Sequence, residues 1–297
     1  MSALSPTWMG STAAALSVWL LSTAALAADA RSAEDYFRDG ADQMAAGKLE
    51  EATTAFQYCV QFRPDFKECW YNLGIVYGRR RDFSNEAKAY LKALELDPNY
   101  SRAHYNLGMA YEDLGRPQEA LTHYEIAIKT DATAQDAHLN RAMLLLSQQR
   151  LDEAIAGFEK AITVQPDNAE AYNDLAEALD LKAQKLEEPQ RSAWLRRAIS
   201  TYGQCLARDP RHYRSLYNIG TVHHRLQELD AEIAAYRKAI EIKKNYTPAL
   251  YNLASALRDK GDKPAAKTAF EAYLAAAGKS PSEARFVEVA KRELQKL

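Results

Sequence analysis

The sequence predicts an all-α protein, a solenoid of stacked helix-turn-helix repeats. The first observation is an aromatic column that returns every 34 residues, with a single step longer by ten. The second is a mostly small residue three positions after each aromatic, and the third is a proline that closes four of the repeats. A fixed period of about 20–50 residues is typical of solenoids, in which each repeat stacks on its neighbours. The aromatic column consists of Phe56, Tyr90, Tyr124, Phe158, Tyr202, Tyr236 and Phe270.

The bulk composition is that of a folded chain with no general attraction for nucleic acid. The 297 residues include 38 basic and 40 acidic side chains, which give a net charge of −2. Apolar residues make up 47% of the chain, with only 12 glycines and 10 prolines. Such a chain can bury a core, and its small net charge excludes a basic nucleic-acid-binding protein.

The first 30 residues have the composition of an export signal. Residues 13–28 contain only Ala, Leu, Ser, Thr, Val and Trp, and the first acidic residue is Asp29. Ala25 and Ala27 are small residues two apart, the pattern that a signal peptidase reads. We therefore predict a signal peptide at 1–27 and a periplasmic or secreted chain with no membrane span after cleavage. Because no Lys or Arg precedes the apolar run, an uncleaved helix anchored in the inner membrane is the alternative.

Counting from the aromatic column divides residues 33–280 into seven repeats, followed by a segment at 281–297. The repeats are 33–66, 67–100, 101–134, 135–168, 169–212, 213–246 and 247–280. Each one reads as two amphipathic helices. In the second repeat, Trp70, Leu73 and Tyr77 share one helical stripe, Asp82 lies in the polar turn, and Pro98 ends the second helix.

The fifth repeat contains the ten extra residues. We expect its first helix to run on through Leu186, break near Pro189 and resume around Ser192. Both helices would then be longer by about one to two turns. This hairpin would project from the solenoid as a docking element, although a tolerated insertion explains the same length.

The repeats resemble tetratricopeptide repeats. Trp70, Leu73, Gly74 and Tyr77 match the Trp-x2-Leu-Gly-x2-Tyr signature, and the third repeat carries Leu107-Gly108 and Tyr111 followed by Ala120 and Tyr124. The resemblance covers 33–280 and implies a right-handed superhelical solenoid. Glu86 and Glu232 replace the usual Ala early in the second helix, so those hairpins are expected to pack less tightly. Arg141 replaces an apolar residue in the fourth repeat.

Residues 281–297 are predicted to form a capping helix over the last repeat. Ser280 and Glu283 have the spacing of a capping box, with Pro281 at the first helical position. The expected apolar stripe consists of Phe286, Val289, Ala290 and Leu294. A partner-binding helix is the alternative interpretation.

The resemblance implies that the first helices line a concave groove, where a partner would bind. Asparagine recurs at the sixth position of the repeats, and tyrosine at the fifth. A row of amides can hydrogen-bond an extended peptide whatever its sequence, although packing or solubility also explains an asparagine there, and the tyrosines also fit as rings supporting the groove wall. The candidate binding residues are Asn72, Asn106, Asn140, Asn218, Asn252, Tyr71, Tyr105, Tyr217 and Tyr251.

The fifth repeat interrupts the asparagine column with an acidic stripe. Glu170, Asp174 and Glu177 follow at i, i+4 and i+7 of its first helix, and therefore share one helical face. We add them to the candidate site as a contact for a basic segment of the partner. A solvated charged face is the alternative.

The sequence offers no catalytic or metal site, and we expect neither an enzyme nor a cofactor. It has no His-Glu-x-x-His, Cys-x-x-Cys, Gly-x-Ser-x-Gly or phosphate-loop motif. His104 and His138 occupy the packing column of Trp70, and Cys59 and Cys205 occupy the small column. In an oxidising compartment Cys59 and Cys69 are within reach of a disulfide if their Cα atoms lie about 4.4–6.8 Å apart; otherwise they are thiols.

The leading functional prediction is a non-enzymatic scaffold of an exported bacterial type that binds a protein or peptide segment. Such a scaffold would organise an assembly in the cell envelope. One alternative is a scaffold for polysaccharide secretion that contacts glycan through its tyrosines. The other is a cytosolic adaptor whose start is misassigned.

Overall fold

The computed structural model describes residues 31–278 and 280–297. All regular structure in these residues is helical. The predicted signal peptide at 1–27 lies outside them. In the part of the chain that is described, no helix is both long and apolar enough to cross a bilayer.

Fourteen helices follow each other as seven hairpins, and a last helix ends the described chain. The helices are α1 Ala33–Ala45, α2 Leu49–Phe62, α3 Lys67–Arg79, α4 Phe83–Leu96, α5 Ser101–Asp113, α6 Pro117–Thr130, α7 Gln135–Ser147, α8 Leu151–Val164, α9 Ala169–Ala183, α10 Gln190–Arg208, α11 Tyr213–Arg225, α12 Leu229–Ile242, α13 Thr247–Asp259, α14 Lys263–Ala277 and α15 Ala284–Leu294. Helices that begin a hairpin also pack on the helix before them, as α3 does on α2, α5 on α4, α9 on α8, α11 on α10 and α13 on α12. The predicted helical-repeat fold is confirmed.

The chain forms two compact bodies that divide at His123 and Tyr124, inside α6. The N-terminal body holds α1 to α5 and the start of α6. The C-terminal body holds the rest of α6 and the helices that follow. Each body has its own core of aromatic and small side chains.

The aromatic column is buried throughout, because each of its seven rings is at most 2% exposed. Small residues on the first helix of the hairpin allow this. A methyl group added at Gly74 would lie 2.5 Å from the Tyr90 ring, and one at Gly220 would lie 2.4 Å from Tyr236. The ring therefore lies directly on the backbone of the first helix, and any side chain there would displace it.

A left-handed residue closes the turn inside six of the seven hairpins. Three of these residues are glycines: Gly47, Gly115 and Gly261. The others are Arg81, Gln149 and Gln227, with φ near 60°, a conformation that costs a non-glycine residue about 1–2 kcal/mol. The fifth repeat has no such residue, since Ala183 at that position is still helical.

The insertion in the fifth repeat lengthens its two helices unequally, which corrects the sequence expectation. The first helix, α9, has 15 residues against 13 in α3, whereas α10 has 19 against 14 in α4. The first helix ends at Ala183 rather than Leu186, because the N–H groups of Lys185 and Leu186 bond carbonyls only three residues back, which tightens the chain into a turn. The second helix begins at Gln190, directly after Pro189, and not at Ser192.

The C-terminal helix covers the last hairpin, as predicted, but it begins differently. A 3₁₀ turn at Pro281–Glu283 precedes it, and the Ser280 side chain caps nothing, so the expected capping box is wrong. Glu283 instead accepts hydrogen bonds from Tyr273 (2.8 Å) and Thr247 (2.9 Å) of the last repeat. The carboxylate therefore fastens the helix to the solenoid rather than to its own backbone.

The 3₁₀ turn also changes which residues of α15 face the core. Ala290 is fully buried and Leu294 packs on the core, as expected. Phe286 and Val289 do not belong to this stripe. Their place is taken by Val287 and by Leu297, and Phe286 is 47% exposed.

Candidate functional site

The asparagines and tyrosines predicted to line a groove are all half-buried on the first helices of their hairpins. Asn72 and Tyr71 lie on α3, Asn106 and Tyr105 on α5, and Asn140 on α7. Asn218 and Tyr217 lie on α11, and Asn252 and Tyr251 on α13. We call the surface that these residues share the first-helix face, and describe it for each body separately.

The asparagine column hydrogen-bonds the tyrosine hydroxyls of the preceding repeat. In the N-terminal body, the Asn106 amide donates to the Tyr71 hydroxyl at 3.1 Å and also bonds Tyr90. In the C-terminal body, the Asn252 amide donates to Tyr217 at 3.3 Å and to Tyr236 at 3.4 Å. These bonds join consecutive repeats beneath the surface.

A pairing rule between the aromatic and asparagine columns follows, which the asparagine column alone does not reveal. A tyrosine in the aromatic column has an asparagine 16 residues later, and the pairs are Tyr90–Asn106, Tyr124–Asn140, Tyr202–Asn218 and Tyr236–Asn252. Asn218 bonds Tyr202 in the same way as the other pairs. Phe56 and Phe158, the phenylalanines of the column that precede another repeat, offer no hydroxyl. Sixteen residues after Phe56, Asn72 instead donates to the Glu68 carbonyl of its own helix at 2.8 Å. Sixteen residues after Phe158, the chain has Asp174 in place of asparagine.

The orientation of the amides leaves acceptors on the surface. The Tyr90 hydroxyl donates to the Glu86 carboxylate, so the same oxygen accepts from the Asn106 amide. With their N–H groups directed at tyrosines, Asn106 and Asn252 keep carbonyl oxygens that no described residue occupies. An amide oxygen has two lone pairs, so this face presents hydrogen-bond acceptors.

Tyr71, Tyr217 and Tyr251, at the fifth position of their repeats, belong to aromatic pairs. The partner is the residue that ends the same repeat: Tyr71 lies 4.9 Å from Tyr100, Tyr217 lies 5.3 Å from Tyr246, and Phe37 lies 5.3 Å from Phe66, measured between ring centres. In the last repeat, Phe286 of α15 takes this place, 5.3 Å from Tyr251. An aromatic residue at the end of a repeat was the sequence signal for these pairs.

A cavity of about 360 Å³ opens on the first-helix face between α11 and α13. Asn252 and Tyr236 lie on its wall together with His224, Glu232 and Arg258. Several of these groups already pair with each other: His224 Nδ1 lies 3.1 Å from a Glu232 oxygen, and Arg258 lies 2.8 Å from Asp259. The cavity is therefore polar, and its charges are largely balanced.

The acidic stripe of the fifth repeat is partly neutralised by the sixth. Glu170 lies 2.6 Å from Arg214 and 3.0 Å from His212. The neighbouring carboxylate of Asp180, on the same helix, lies 2.9 Å from Arg225. Glu177 remains exposed, and burial, the largest cause, raises the pKa of Asp174 to about 6. Asp174 also accepts a hydrogen bond from Asn173 at 3.2 Å, so Glu177 is the exposed one of the three predicted acidic residues.

Ser215, His212 and Glu170 have the connectivity of a catalytic triad, but the serine is inaccessible. Its hydroxyl lies 2.8 Å from His212 Nδ1, and His212 Nε2 lies 3.0 Å from Glu170. Ser215 is 0% exposed, and its backbone N–H bonds the same His212 nitrogen. This arrangement is the N-terminal cap of α11, since it satisfies a helix donor and leaves no room for a substrate.

The histidines in the Trp70 column pack as expected and also bond the preceding turn. Trp70 Nε1 donates to the Pro64 carbonyl at 2.9 Å, and His104 Nε2 lies 3.0 Å from the Pro98 carbonyl. His104 Nδ1 lies 2.9 Å from His123 Nδ1. The described residues contain no cluster of three or more metal-ligating side chains.

Cys59 and Cys69 form a disulfide with a Cα separation of 6.1 Å. Both residues are fully buried. The bond joins α2 to α3 and so links the first two repeats. Cys205 carries a buried thiol, and burial is the main reason that its pKa is raised.

Comparison with known proteins identifies the family. The tetratricopeptide repeat models match residues 37–101, 71–137, 105–163, 139–188 and 195–247, and a further one matches 248–280. The chain therefore belongs to the tetratricopeptide repeat family, whose fold is generally a non-catalytic protein-interaction module. No curated protein matches the chain.

Solved structures share the fold at low sequence identity. The C-terminal part of a tetratricopeptide repeat protein from Cytophaga hutchinsonii is 16% identical with a TM-score of 0.69, over 83% of this chain and 97% of that one. A tetratricopeptide repeat protein from Parabacteroides merdae is 16% identical with a TM-score of 0.60, over 90% and 98%. YrrB, described as having an unusual peptide-binding site, is 20% identical with a TM-score of 0.56, over 66% and 96%.

Proposed function

We propose that the protein is a non-enzymatic scaffold that binds an extended segment of a partner protein on the first-helix face of each body. The observation that carries the proposal is the set of asparagine carbonyl oxygens beside aromatic pairs, at Asn106 and Tyr71 in one body and at Asn252 and Tyr217 in the other. A backbone has one N–H per residue, so an acceptor in either body can bind a segment whatever its sequence. The peptide-binding site of YrrB is in keeping with this use of the fold.

We further propose that the scaffold works in the bacterial cell envelope, in the periplasm or outside the cell. The composition of residues 1–30 supports export, and so does the Cys59–Cys69 disulfide, because disulfides persist in oxidising compartments. Retention by an uncleaved N-terminal helix is the alternative. Sequencing the N-terminus of the expressed protein separates the two: a chain that begins near Ala28 supports release, and a chain that begins at Met1 supports an anchor.

A test of the binding face substitutes the asparagines and keeps a matched control. Asn106→Ala and Asn252→Ala together remove both the acceptors and the bonds to the tyrosines. Tyr90→Phe, Tyr236→Phe, Tyr71→Phe and Tyr217→Phe together remove the hydroxyls that these amides bond but leave the asparagine oxygens in place. The comparison therefore separates loss of the acceptors from loss of the buried bonds.

We expect the asparagine variant to capture its envelope partner about five-fold less tightly or worse, because each lost hydrogen bond contributes about 0.5–1.5 kcal/mol. Partners are captured from envelope extract and identified, and the bound segment is mapped on a peptide array. The tyrosine control should retain binding. Equal capture by the wild type and the asparagine variant would remove the asparagines from the mechanism.

A second candidate is glycan binding, which the aromatic pairs favour. A sugar ring can stack on Tyr71 and Tyr100, with the Asn106 oxygen available for a hydroxyl. A glycan-array signal that is lost in Tyr71→Ala and Tyr105→Ala would favour this candidate. Binding that a peptide alone displaces would favour the protein partner.

A further inference from the structure

Repeats two and six share an unusual buried glutamate. Glu86 and Glu232 occupy the same position, early in the second helix, and are 7% and 4% exposed. Each lies near the aromatic-column tyrosine of its own repeat and an aspartate of the next: Tyr90 and Asp113 for Glu86, Tyr236 and Asp259 for Glu232. The two sites differ in what else reaches the carboxylate.

In repeat six the carboxylate has a basic partner from its own chain. His224, on the first helix of the same hairpin, places Nδ1 3.1 Å from one oxygen of Glu232 and 3.2 Å from the other. The imidazole lies on the first-helix face, with its side chain 67% exposed. The buried glutamate is satisfied at the wall of the cavity that Asn252 also lines.

In repeat two the residue at the position of His224 is Gly78. A methyl group added there would lie 2.6 Å from one oxygen of Glu86 and 3.0 Å from the other, so the carboxylate lies against the bare backbone. One oxygen accepts from Tyr90. Glu86 Oε2 is buried with no hydrogen-bond partner.

The neighbouring arginines do not supply the missing partner. Arg79 donates to the Met44 carbonyl at 3.3 Å, and Arg80 binds Glu50 and Thr53. The other charged group that acts on Glu86 is Asp113, which is acidic and exposed. A buried carboxylate oxygen without a donor destabilises the folded chain, and this cost is recovered when a donor arrives.

We propose that the Gly78–Glu86 site binds a lysine side chain of the partner segment. The partner's ammonium group would take the place that the His224 imidazole occupies in repeat six, between Glu86 Oε2 and the Asp113 carboxylate. Asn106 and Tyr90 bond each other beside it, so the lysine would anchor a segment that lies on the first-helix face. The inference rests on the proposed function and adds a charge preference to it.

The test uses the whole protein and a minimal probe, Nα-acetyl-lysine N-methylamide, with the norleucine analogue as the neutral match. Binding is followed by the backbone amide signal of Gly78 in ¹⁵N NMR. Glu86→Gln keeps the shape of the side chain and removes its charge. Glu232→Gln is the matched control, because that position already has His224.

We expect the lysine probe to shift the Gly78 signal to saturation and the norleucine probe to leave it in place. Glu86→Gln should weaken the lysine probe about five-fold or more, as expected for loss of a charge-assisted bond, and Glu232→Gln should have no effect. Gly78→His, which adds an internal partner as in repeat six, should also block the probe, and in this variant binding is followed by the backbone amide signal of the neighbouring Tyr77. Equal shifts by the two probes, or an unchanged affinity in Glu86→Gln, would overturn the proposal.

A peptide array separates this inference from the proposed function. Capture that depends on Asn106 and Asn252 but shows no preference for lysine would leave the scaffold standing and remove the lysine site. If the wild-type protein captures no peptide at all, the proposed scaffold function is wrong. The titration with the lysine probe would still test the site at Glu86.

Discussion

At the scale of single residues, the sixth position of each repeat serves the fold first. Asn106 and Asn252 donate to tyrosines of the preceding repeat, and only their carbonyl oxygens are left for a partner. The asparagine column was visible in the sequence, but the use of its N–H groups by the fold and of its carbonyl oxygens by a partner was not. A hydrogen bond between residues 16 positions apart depends on how two hairpins stack. The pairing of Tyr with Asn was visible in the sequence as a correlation between two columns.

The hydrogen bond between Tyr236 and Asn252 should be measurable as a coupling energy. Tyr236→Phe alone should cost about 1 kcal/mol of unfolding free energy, and less when Asn252→Ala has already removed the donor. Urea denaturation of the two single variants and the double variant gives the coupling, expected at about 0.5–1.5 kcal/mol. Strict additivity would mean that the bond contributes nothing.

The His104–His123 pair should make the N-terminal body sensitive to acid. His104 Nε2 donates to the Pro98 carbonyl, so its neutral Nδ1 accepts from His123. Burial lowers the pKa of His104, and burial together with His104 lowers the pKa of His123 to about 4. The unfolded chain therefore binds protons below about pH 6.5 that the folded chain does not bind until about pH 4.

The free energy of unfolding should accordingly fall as the pH is lowered from 6.5 to 4. We expect this pair to contribute about 1–2 kcal/mol to the fall, because partial exposure of His123 weakens the effect. The measurement compares urea unfolding of the wild type and His123→Phe at several pH values. The stability of the variant should depend less on pH in this range. Parallel pH profiles would show that the pair does not titrate as described.

At the scale of elements, the helical hairpins were predictable, and the places where a helix ends were less so. Apolar stripes and prolines locate the helices of the regular repeats. In the fifth repeat, charged and small residues continue past Ala183, so no stripe marks the end of α9, which is set by the turn to Pro189. For α15, the 3₁₀ turn moved the apolar stripe, because Glu283 bonds Tyr273 instead of capping its own helix.

The packing of α15 provides a test at this scale. Ala290 is fully buried against the last hairpin, so Ala290→Asp should cost about 2–4 kcal/mol by burying an unpaired charge or expelling the helix. Arg285→Asp, on the exposed side of the same helix, is the control and should change stability by less than about 0.5 kcal/mol. Hydrogen exchange of α14 should accelerate only in the first variant, and equal protection in both would mean that α15 does not cover the core.

At the scale of the whole molecule, the family was recoverable from one sequence because its repeats are in register. A solenoid displays the same interface many times, so a periodic column is strong even where single residues depart from the pattern. Partner recognition repeats less regularly. Gly78 with Glu86 and the paired charges of Glu170 and Arg214 each occur at one place, and their meaning depends on which neighbour reaches them.

The Cys59–Cys69 disulfide predicts how the protein responds to its compartment. Protein prepared from an oxidising compartment should show one thiol, Cys205, when denatured without reductant. Cys59→Ala with Cys69→Ala should lower the unfolding free energy by about 2–3 kcal/mol, because the bond closes a short loop of the unfolded chain. Three thiols in the wild type would show that the bond does not form there.

The bond between Tyr236 and Asn252 also limits how the gene can be rearranged. A repeat with tyrosine in the aromatic column fits only in front of a repeat with asparagine at the sixth position. Duplications that copy whole repeats therefore keep each tyrosine in front of an asparagine where the original repeats have this pair. The fifth repeat has Asp174 at the sixth position and follows a repeat whose aromatic residue is Phe158. It therefore fits only behind a repeat whose aromatic column holds a phenylalanine. Chimeras built by exchanging repeats should therefore succeed or fail according to which residues meet at the new junction.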